Sequence, residues 1–427
     1  MKTHQYPNLN ETIYEDSLDG DLNVILIHKP DFAKTFVTLT APLGAIHRGF
    51  IDENDQIHQA PSGLAHFLEH KIFEDKSRDI SKDFSLDEAS INAFTEHHQT
   101  TYLFNATNHI EKNIKRLLKM FFYPTFTEAG VQKEKGIIKE ELNMHLDDPY
   151  YLQYKTLVNN LYHYHPIKDD ILGTEESIQN MDVSMLKAMH QAYYQPNKSQ
   201  LIIIGPTSPK PLFKALKSFK LPKNKAVKPY AFDKNKEPKH VVKALEELSL
   251  DVQMPSVLLG VKLNIDKQED VLSRRQEKLA LSMLFDILFG KGSDIYETWL
   301  NEGIINDSYG LDIAYEKDFA YLLIGSESLK PKAFLSALKQ ALLSIDDMQI
   351  DQADLLRIKK GMHGSFLQGL DAMENLAYQF SDTLMDHFMY YDTPKILQAI
   401  DIEKLNQQKN HIKESAISAV IGHSKQH

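Results

Sequence analysis

The stretch Gly63–Glu74 reads GLAHFLEHKIFE. Wound as a helix, it is apolar nearly all round, because Leu64, Ala65, Phe67, Leu68, Ile72 and Phe73 leave little face for solvent. Such a helix belongs in a core, and the rest of the chain has to be built over it. Yet the same turns carry His66, Glu69 and His70. An unpaired ionisable group is costly to bury, so any fold that uses this helix must give all three a partner. The spacing suggests which. His66 and His70 are four apart, about 40° apart on one face and one turn up. Their imidazoles can meet at a point, as they do on helices that offer two ligands to zinc. Glu69 flanks that point on the other side of His66, where a carboxylate could take a proton from an activated water and hand it on. The competing reading is a His-Glu-His cluster held by local hydrogen bonds.

A hydrolytic zinc needs a third protein ligand and an open position for water. The chain has no cysteine, which removes thiolate ligands, disulfides and cysteine nucleophiles together and fits a reducing compartment. His, Asp and Glu remain. The segment VQKEKGIIKEELNMH supplies them within a long helix predicted over about Glu128 to His145. Its apolar side is Val131, Ile138 and Leu142, and Glu134 and Glu141 fall on that same side, whereas Glu140 points away into solvent. The two carboxylates lie about two turns, roughly 10 Å, apart along the axis. One ion can hardly take both, so one is a ligand and the other supports a ligand or meets substrate. Helical period does not choose between them, and His145 is a rival ligand. The order His-x-x-Glu-His is that of the inverted zinc peptidases.

A chain of 427 residues, 42% of them apolar, is too long for one ordinary core. LNVILIHK and FVTLTAPLG alternate like paired strands, SINAFTEHHQTTYLFNAT reads as strand, turn and strand, HIEKNIKRLLKMFF has helical period, and SQLIIIGP is a buried strand. The Lys- and Pro-rich stretch LPKNKAVKPYAFDKNKEPKH, 221–240, reads as a linker between a domain at 1–220 and a second at 241–427. PSVLLGVKL, EKLALSMLFDILFG and DFAYLLIGSE repeat the pattern of the first half, with SMLFDILF (282–289) falling where HFLEHKIF (66–73) falls. The formal net charge of −11 argues against nucleic acid and anionic membranes as main partners. The N-terminal residues carry no apolar signal region, and no apolar run approaches a membrane span. The expectation is a cytoplasmic protein in which Asn10, Asn105 and Asn197 carry no sugar.

Taken together, GLAHFLEHKIF, NAFTEHHQTTY and EKGIIKEELNM resemble the pitrilysin or insulinase family of metallopeptidases, which includes mitochondrial processing peptidase. The resemblance is strongest over residues 20 to 205. It implies an α+β fold of two similar domains, each a mostly antiparallel sheet packed with helices, the second without a metal site, together forming a half-shell. It implies one zinc ion per chain on His66, His70 and Glu141, with Glu69 as general base and Glu134 as the assisting glutamate. It makes Asn92, Ala93, Phe94 and Thr95 part of an edge strand that takes peptide substrate by strand addition, and HPIKDDILGT (165–174) matches a further family segment. The implied activity is peptide hydrolysis in a chamber closed by a second two-domain subunit. Active relatives carry Arg and Tyr in the second half, where this chain reads WLNEGIINDSYGL: Asn301 stands at the Arg position, Asp307 near the Tyr position, and Tyr309 two residues off. The expectation is therefore a heterodimer whose homologous partner supplies Arg and Tyr, with a homodimer as runner-up. A non-proteolytic zinc-binding maturation or binding subunit is the alternative.

Other signals are weaker. FGKGSD lacks phosphate-loop order and reads as a helix end and turn. His97 and His98 sit at a polar turn, YHYHP (162–166) reads as a loop ending a helix, and Trp299 is expected to pack in the second domain.

Overall fold

The computed structural model describes residues 1–427 except Gly20, Ser77, Ala231, Lys234, Asn235, 266–269, Asp386, Gln426 and His427; of Leu384 and Met385 it describes the backbone alone. The described residues pack as two units. The first is Met1–Asn143, Asp169–Phe232 and Gln368–Tyr391, and the second is Met144–Lys168, Asp233–Leu367 and Asp392–His427.

In the first unit a seven-stranded sheet runs in the order Lys2–Tyr6, Glu11–Leu18, Leu22–His28, Gln200–Gly205, Thr35–Ala41, Thr100–Ala106 and Ser90–Thr95. Neighbours are antiparallel except Leu22–His28 with Gln200–Gly205, which are parallel. Gln200–Gly205 lies inside the sheet and is buried throughout, which is why its sequence, QLIIIG, is continuously apolar rather than alternating. Ser90–Thr95 ends the sheet and is half-exposed along its length.

The second unit has a five-stranded sheet in the order Leu245–Leu250, Ile417–Ser424, Ser256–Lys262, Ala320–Glu327 and Gly310–Tyr315, again with the first pair parallel and the rest antiparallel. These five strands repeat the order and sense of the last five of the first sheet. In each unit a buried helix comes between a central strand and the edge strand: Leu64–Ile72 in the first and Val271–Phe289, which holds SMLFDILF, in the second. The fold is α+β, made of two similar domains.

A single cut at 221–240 does not describe this packing, because two stretches are exchanged. Helix Pro149–Leu161 precedes that stretch but packs on the second sheet, where Leu157, Val158 and Leu161 join Phe319, Tyr321, Leu323 and Val420. Helix Met373–Met385 comes near the end of the chain but packs on the first sheet, with the Ser381 hydroxyl 3.0 Å from that of Thr38. Within 221–240, Leu221 and Val227 pack against the first core and Lys228–Pro229 pair with Phe50 and Ile51, while Ala231, Lys234 and Asn235 lie outside the described residues. Lys and Pro content marks a polar stretch of chain. It does not say which sheet an amphipathic helix will cover.

Candidate metal centre

Helix Leu64–Ile72 begins at Gly63, whose φ of +82° is open to glycine but strained for other residues. A Cβ at Gly63 would lie 2.2 Å from the Leu172 carbonyl oxygen, and one at Gly173 (φ +89°) would lie 2.6 Å from the Ser62 carbonyl oxygen. The two glycines let the backbones of 62–63 and 172–173 touch, which seats the start of the helix. The segment ILGT, at the end of HPIKDDILGT, therefore serves to place the histidines. Eight of the nine helix residues are buried, among them His66, Glu69 and Lys71.

On this helix the imidazole rings of His66 and His70 stand 4.6 Å apart, centroid to centroid. The long helix Glu128–Asp147 brings Glu141 over them: His66 Nε2 lies 3.6 Å from Glu141 Oε1, and His70 Nε2 lies 3.6 Å from Glu141 Oε2. One ligand atom from each of His66, His70 and Glu141 lies within 4.8 Å of the others, the one such group of three among the described residues. A separation of 3.6 Å is too long for a hydrogen bond. It is close to the spacing, about 3.3–3.4 Å, of two atoms held about 2.0–2.1 Å from one ion at the tetrahedral angle. Two imidazoles and a carboxylate are also a donor set that zinc takes. The residues fit a metal ion.

Glu134 stands apart from this group. Its Oε1 accepts from His70 Nδ1 at 3.0 Å, and its Oε2 lies 3.5 Å from the Lys71 ammonium. A carboxylate on Nδ1 fixes the ring so that Nε2 keeps its lone pair for an ion. The two glutamates that helical period left equivalent thus occupy different places: Glu141 reaches both Nε2 atoms, and Glu134 reaches the back of His70. Glu140 is exposed. His145 is not in the group; its ring lies edge-on to Tyr151 at 5.1 Å.

Glu69 is 8% exposed. Burial pushes its carboxyl above the ordinary 4.5, against the hydrogen bond from Thr95 and the charge of His70, which pull it down. Thr95 Oγ1 donates to Glu69 Oε2 at 2.6 Å. For His70, burial pulls the imidazole down, but the bond to Glu134 and the charges of Glu69, Glu134 and Glu141 outweigh it and hold it above its usual value. For Glu134, burial pushes up, and His70 and Lys71 bring it below the usual range. Carboxylates converge here on a small volume, which a cation would stabilise.

The segment Asn92–Thr95 lies on the edge strand. Its residues do not act alike: Asn92 and Ala93 line a cavity of about 400 Å³ with Glu69, His70, Phe73, Glu74, Asp79, Lys133 and Glu134. Phe94 instead packs on Tyr378, with ring centroids 5.2 Å apart, and the Thr95 side chain turns to Glu69. That role for Thr95 was not legible in the sequence. A threonine at the inner end of an edge strand, 26 residues from its acid, gives no local signal. Lys71 gave no signal either, since nothing in the stretch His70-Lys71-Ile72 marks its partners, Glu74 and Glu134.

The weaker motifs are accounted for locally. His97 and His98 occupy the turn after the edge strand, with the His98 ring 6.2 Å from that of His47. In YHYHP the backbone N–H groups of His163, Tyr164 and His165 donate to the Glu237 carboxylate. Asn301 and Asp307 are exposed, and Trp299 is buried. Tyr309 is also buried, and its hydroxyl donates to the Phe289 carbonyl at 2.7 Å. No described helix is long and apolar enough to cross a membrane.

Residues 43–175, which contain every member of this site, match the family described as Insulinase (Peptidase family M16), and residues 180–362 match the description Peptidase M16 inactive domain. The chain is 32% identical to the uncharacterized zinc protease YmfH of Bacillus subtilis over 414 residues, 94% of each chain. It is 24% identical to the zinc protease PqqE of Helicobacter pylori, over 80% of this chain and 78% of that one. Among solved structures, an M16-like peptidase from Alicyclobacillus acidocaldarius superposes with a TM-score of 0.92 at 26% identity, covering 99% of this chain and 100% of that one. With this match running the length of both domains, the chain belongs to the insulinase family of peptidases.

Proposed function

We propose that the protein is a zinc-dependent metalloendopeptidase. The observation that carries the reading is the meeting of His66, His70 and Glu141 within 4.8 Å, beside a buried glutamate that a threonine holds in place. His66, His70 and Glu141 would hold the ion, and Glu134 keeps His70 in the tautomer that can bind it. A zinc ion held there would supply a water of lowered pKa and a Lewis acid for the peptide carbonyl. Glu69 takes the proton from the attacking water and gives it to the leaving amine. Burial makes it a stronger base than an exposed glutamate, and the Thr95 bond to Oε2 leaves Oε1 to carry the proton. The edge strand aligns the peptide by adding it as a further strand at Asn92–Thr95.

This reading includes a partner. With Asn301 and Asp307 exposed and the Tyr309 hydroxyl engaged by Phe289, this chain lacks the Arg and Tyr expected to hold substrate. A homologous two-domain subunit supplies them in a heterodimer that encloses a chamber for short or unfolded peptides; a homodimer is the second choice. The absence of cysteine suits a cytoplasmic setting.

The state of Tyr309 also favours a second reading, a zinc-binding maturation subunit without proteolysis. The two part on Glu69, since a base poised beside an open metal position has no task in a structural site. The test is a peptide-library digest by the purified chain, with and without its homologue, beside metal analysis of the Glu69→Gln variant. Zinc retained and cleavage lost is the expected result. A cellular role that survives Glu69→Gln, or parental cleavage by the variant, defeats the peptidase reading.

A further inference from the structure

We infer that Lys71 is a positioning residue for the metal centre, acting on His70 through Glu134. The inference rests on the reading of His66, His70 and Glu141 as a zinc site. Lys71 follows the second histidine directly, yet its side chain is 1% exposed, on a helix that offers it no route to water. A lysine is rarely buried so completely unless it is paired. Its ammonium is held by Glu74 Oε2 and lies 3.5 Å from Glu134 Oε2. The other oxygen of Glu134 takes His70 Nδ1 at 3.0 Å. The chain of contacts therefore runs from ammonium to carboxylate to imidazole and ends at the Nε2 that faces Glu141.

A second element is shaped to receive the ammonium. Gly130 lies one helical turn before Glu134, and a Cβ at that position would stand 2.9 Å from Lys71 Nζ and 2.8 Å from Glu74 Oε1. The long helix is thus hollowed where the Lys71–Glu74 pair lies and carries Glu134 on the next turn. The physical need is plain. Glu69, Glu134 and Glu141 bring three carboxylates to the metal centre, the first two of them buried. Without a cation behind it, Glu134 is a buried carboxylate with one oxygen on His70 and the other left without a charge partner. It is then free to turn away, which releases the His70 ring. The Lys71 ammonium supplies that cation.

The experiment measures zinc affinity by chelator competition, and the absorption spectrum of the cobalt-substituted protein, for the parent and for Lys71→Met, Gly130→Ala and Glu74→Gln. Thermal unfolding of each metal-free form reports folding. Lys71→Met is expected to weaken zinc binding by about tenfold or more, as loss of a ligand's supporting partner does, and to alter the cobalt spectrum while the metal-free protein still unfolds cooperatively. Gly130→Ala, which removes no charge, is expected to weaken zinc binding several-fold by displacing the pair. Glu74→Gln, which leaves the ammonium to Glu134 alone, is expected to keep parental affinity. Parental zinc affinity and an unchanged cobalt spectrum in Lys71→Met overturn the assignment of Lys71 alone. A Lys71→Met chain that does not fold passes the decision to Gly130→Ala, whose parental affinity overturns it equally. A parent that binds no zinc overturns the metal reading and this inference together.

Discussion

The two units share five strands in the same order and sense, but among the described residues one of them alone gathers a His-His-Glu group. The difference is concentrated in one helix. Where the first unit has His66, Glu69, His70 and Lys71, the aligned SMLFDILF of the second has Ser282, Phe285, Asp286 and Ile287. Phe285 is fully buried and Ile287 nearly so, apolar residues at the positions that the sequence alignment pairs with Glu69 and Lys71. The second helix is a natural control. It shows that the architecture needs an apolar helix at this point and does not need the ionisable groups, which must therefore be explained by what they do. The second unit keeps one carboxyl there, Asp286, pushed up by burial and drawn back by Arg357.

The sharpest way to break this contrast is to remove the proposed base, Glu69. Glu69→Gln should lower peptide turnover by about 10²–10⁴-fold with zinc content unchanged in metal analysis. Next is the split between the two glutamates of the long helix. Glu134→Gln should weaken zinc binding by about 10–100-fold, the range for a ligand's supporting partner, and Glu141→Gln by more, both read by chelator competition. Asp286→Asn in the second unit should leave zinc affinity at the parental value; a loss there would erase the distinction between the two helices.

A smaller effect concerns pH. The proposed mechanism requires ionised Glu69, so activity is expected to fall as pH drops through that residue's raised pKa. Thr95 lowers that pKa by donating to the carboxylate, and valine cannot donate. Thr95→Val should therefore move the acid limb of the kcat/KM profile to higher pH, by about one unit or less, since one unit corresponds to about 1.4 kcal/mol and a single hydrogen bond to a charged group contributes about that much. A limb that stays in place would separate Thr95 from the base.

The smallest effect is on stability and has the opposite sign to the loss of function. A buried acid whose folded pKa is raised is preferred protonated by the fold, so its ionised form destabilises the metal-free protein above that pKa. At pH 7 the metal-free Glu69→Gln chain should be more stable than the parent, an advantage that shrinks as pH falls through the raised pKa. Denaturant unfolding at two pH values measures it. A less stable variant would mean that the Thr95 bond outweighs burial, and that Glu69 holds the fold together as its counterpart Phe285 does.

Much of this protein was determined by its sequence alone. The pairing of His66 with His70, and Glu69 at their side, follows from helical period, because an i, i+4 spacing fixes direction within one turn whatever surrounds it. The burial of QLIIIG and the repetition of strand, helix and strand are local in the same sense. The tertiary structure decided what depends on faces that meet across long separations. Period placed Glu134 and Glu141 on one side of a helix, but the way that helix crosses Leu64–Ile72 decided which of them reaches two Nε2 atoms and which reaches Nδ1. It turned the Thr95 side chain towards Glu69, and it sealed Lys71 against the hollow at Gly130. It also exchanged Pro149–Leu161 and Met373–Met385 between the sheets. An amphipathic helix records in its sequence that it must cover something apolar, while the sheet it covers is set by the free energy of the whole packing.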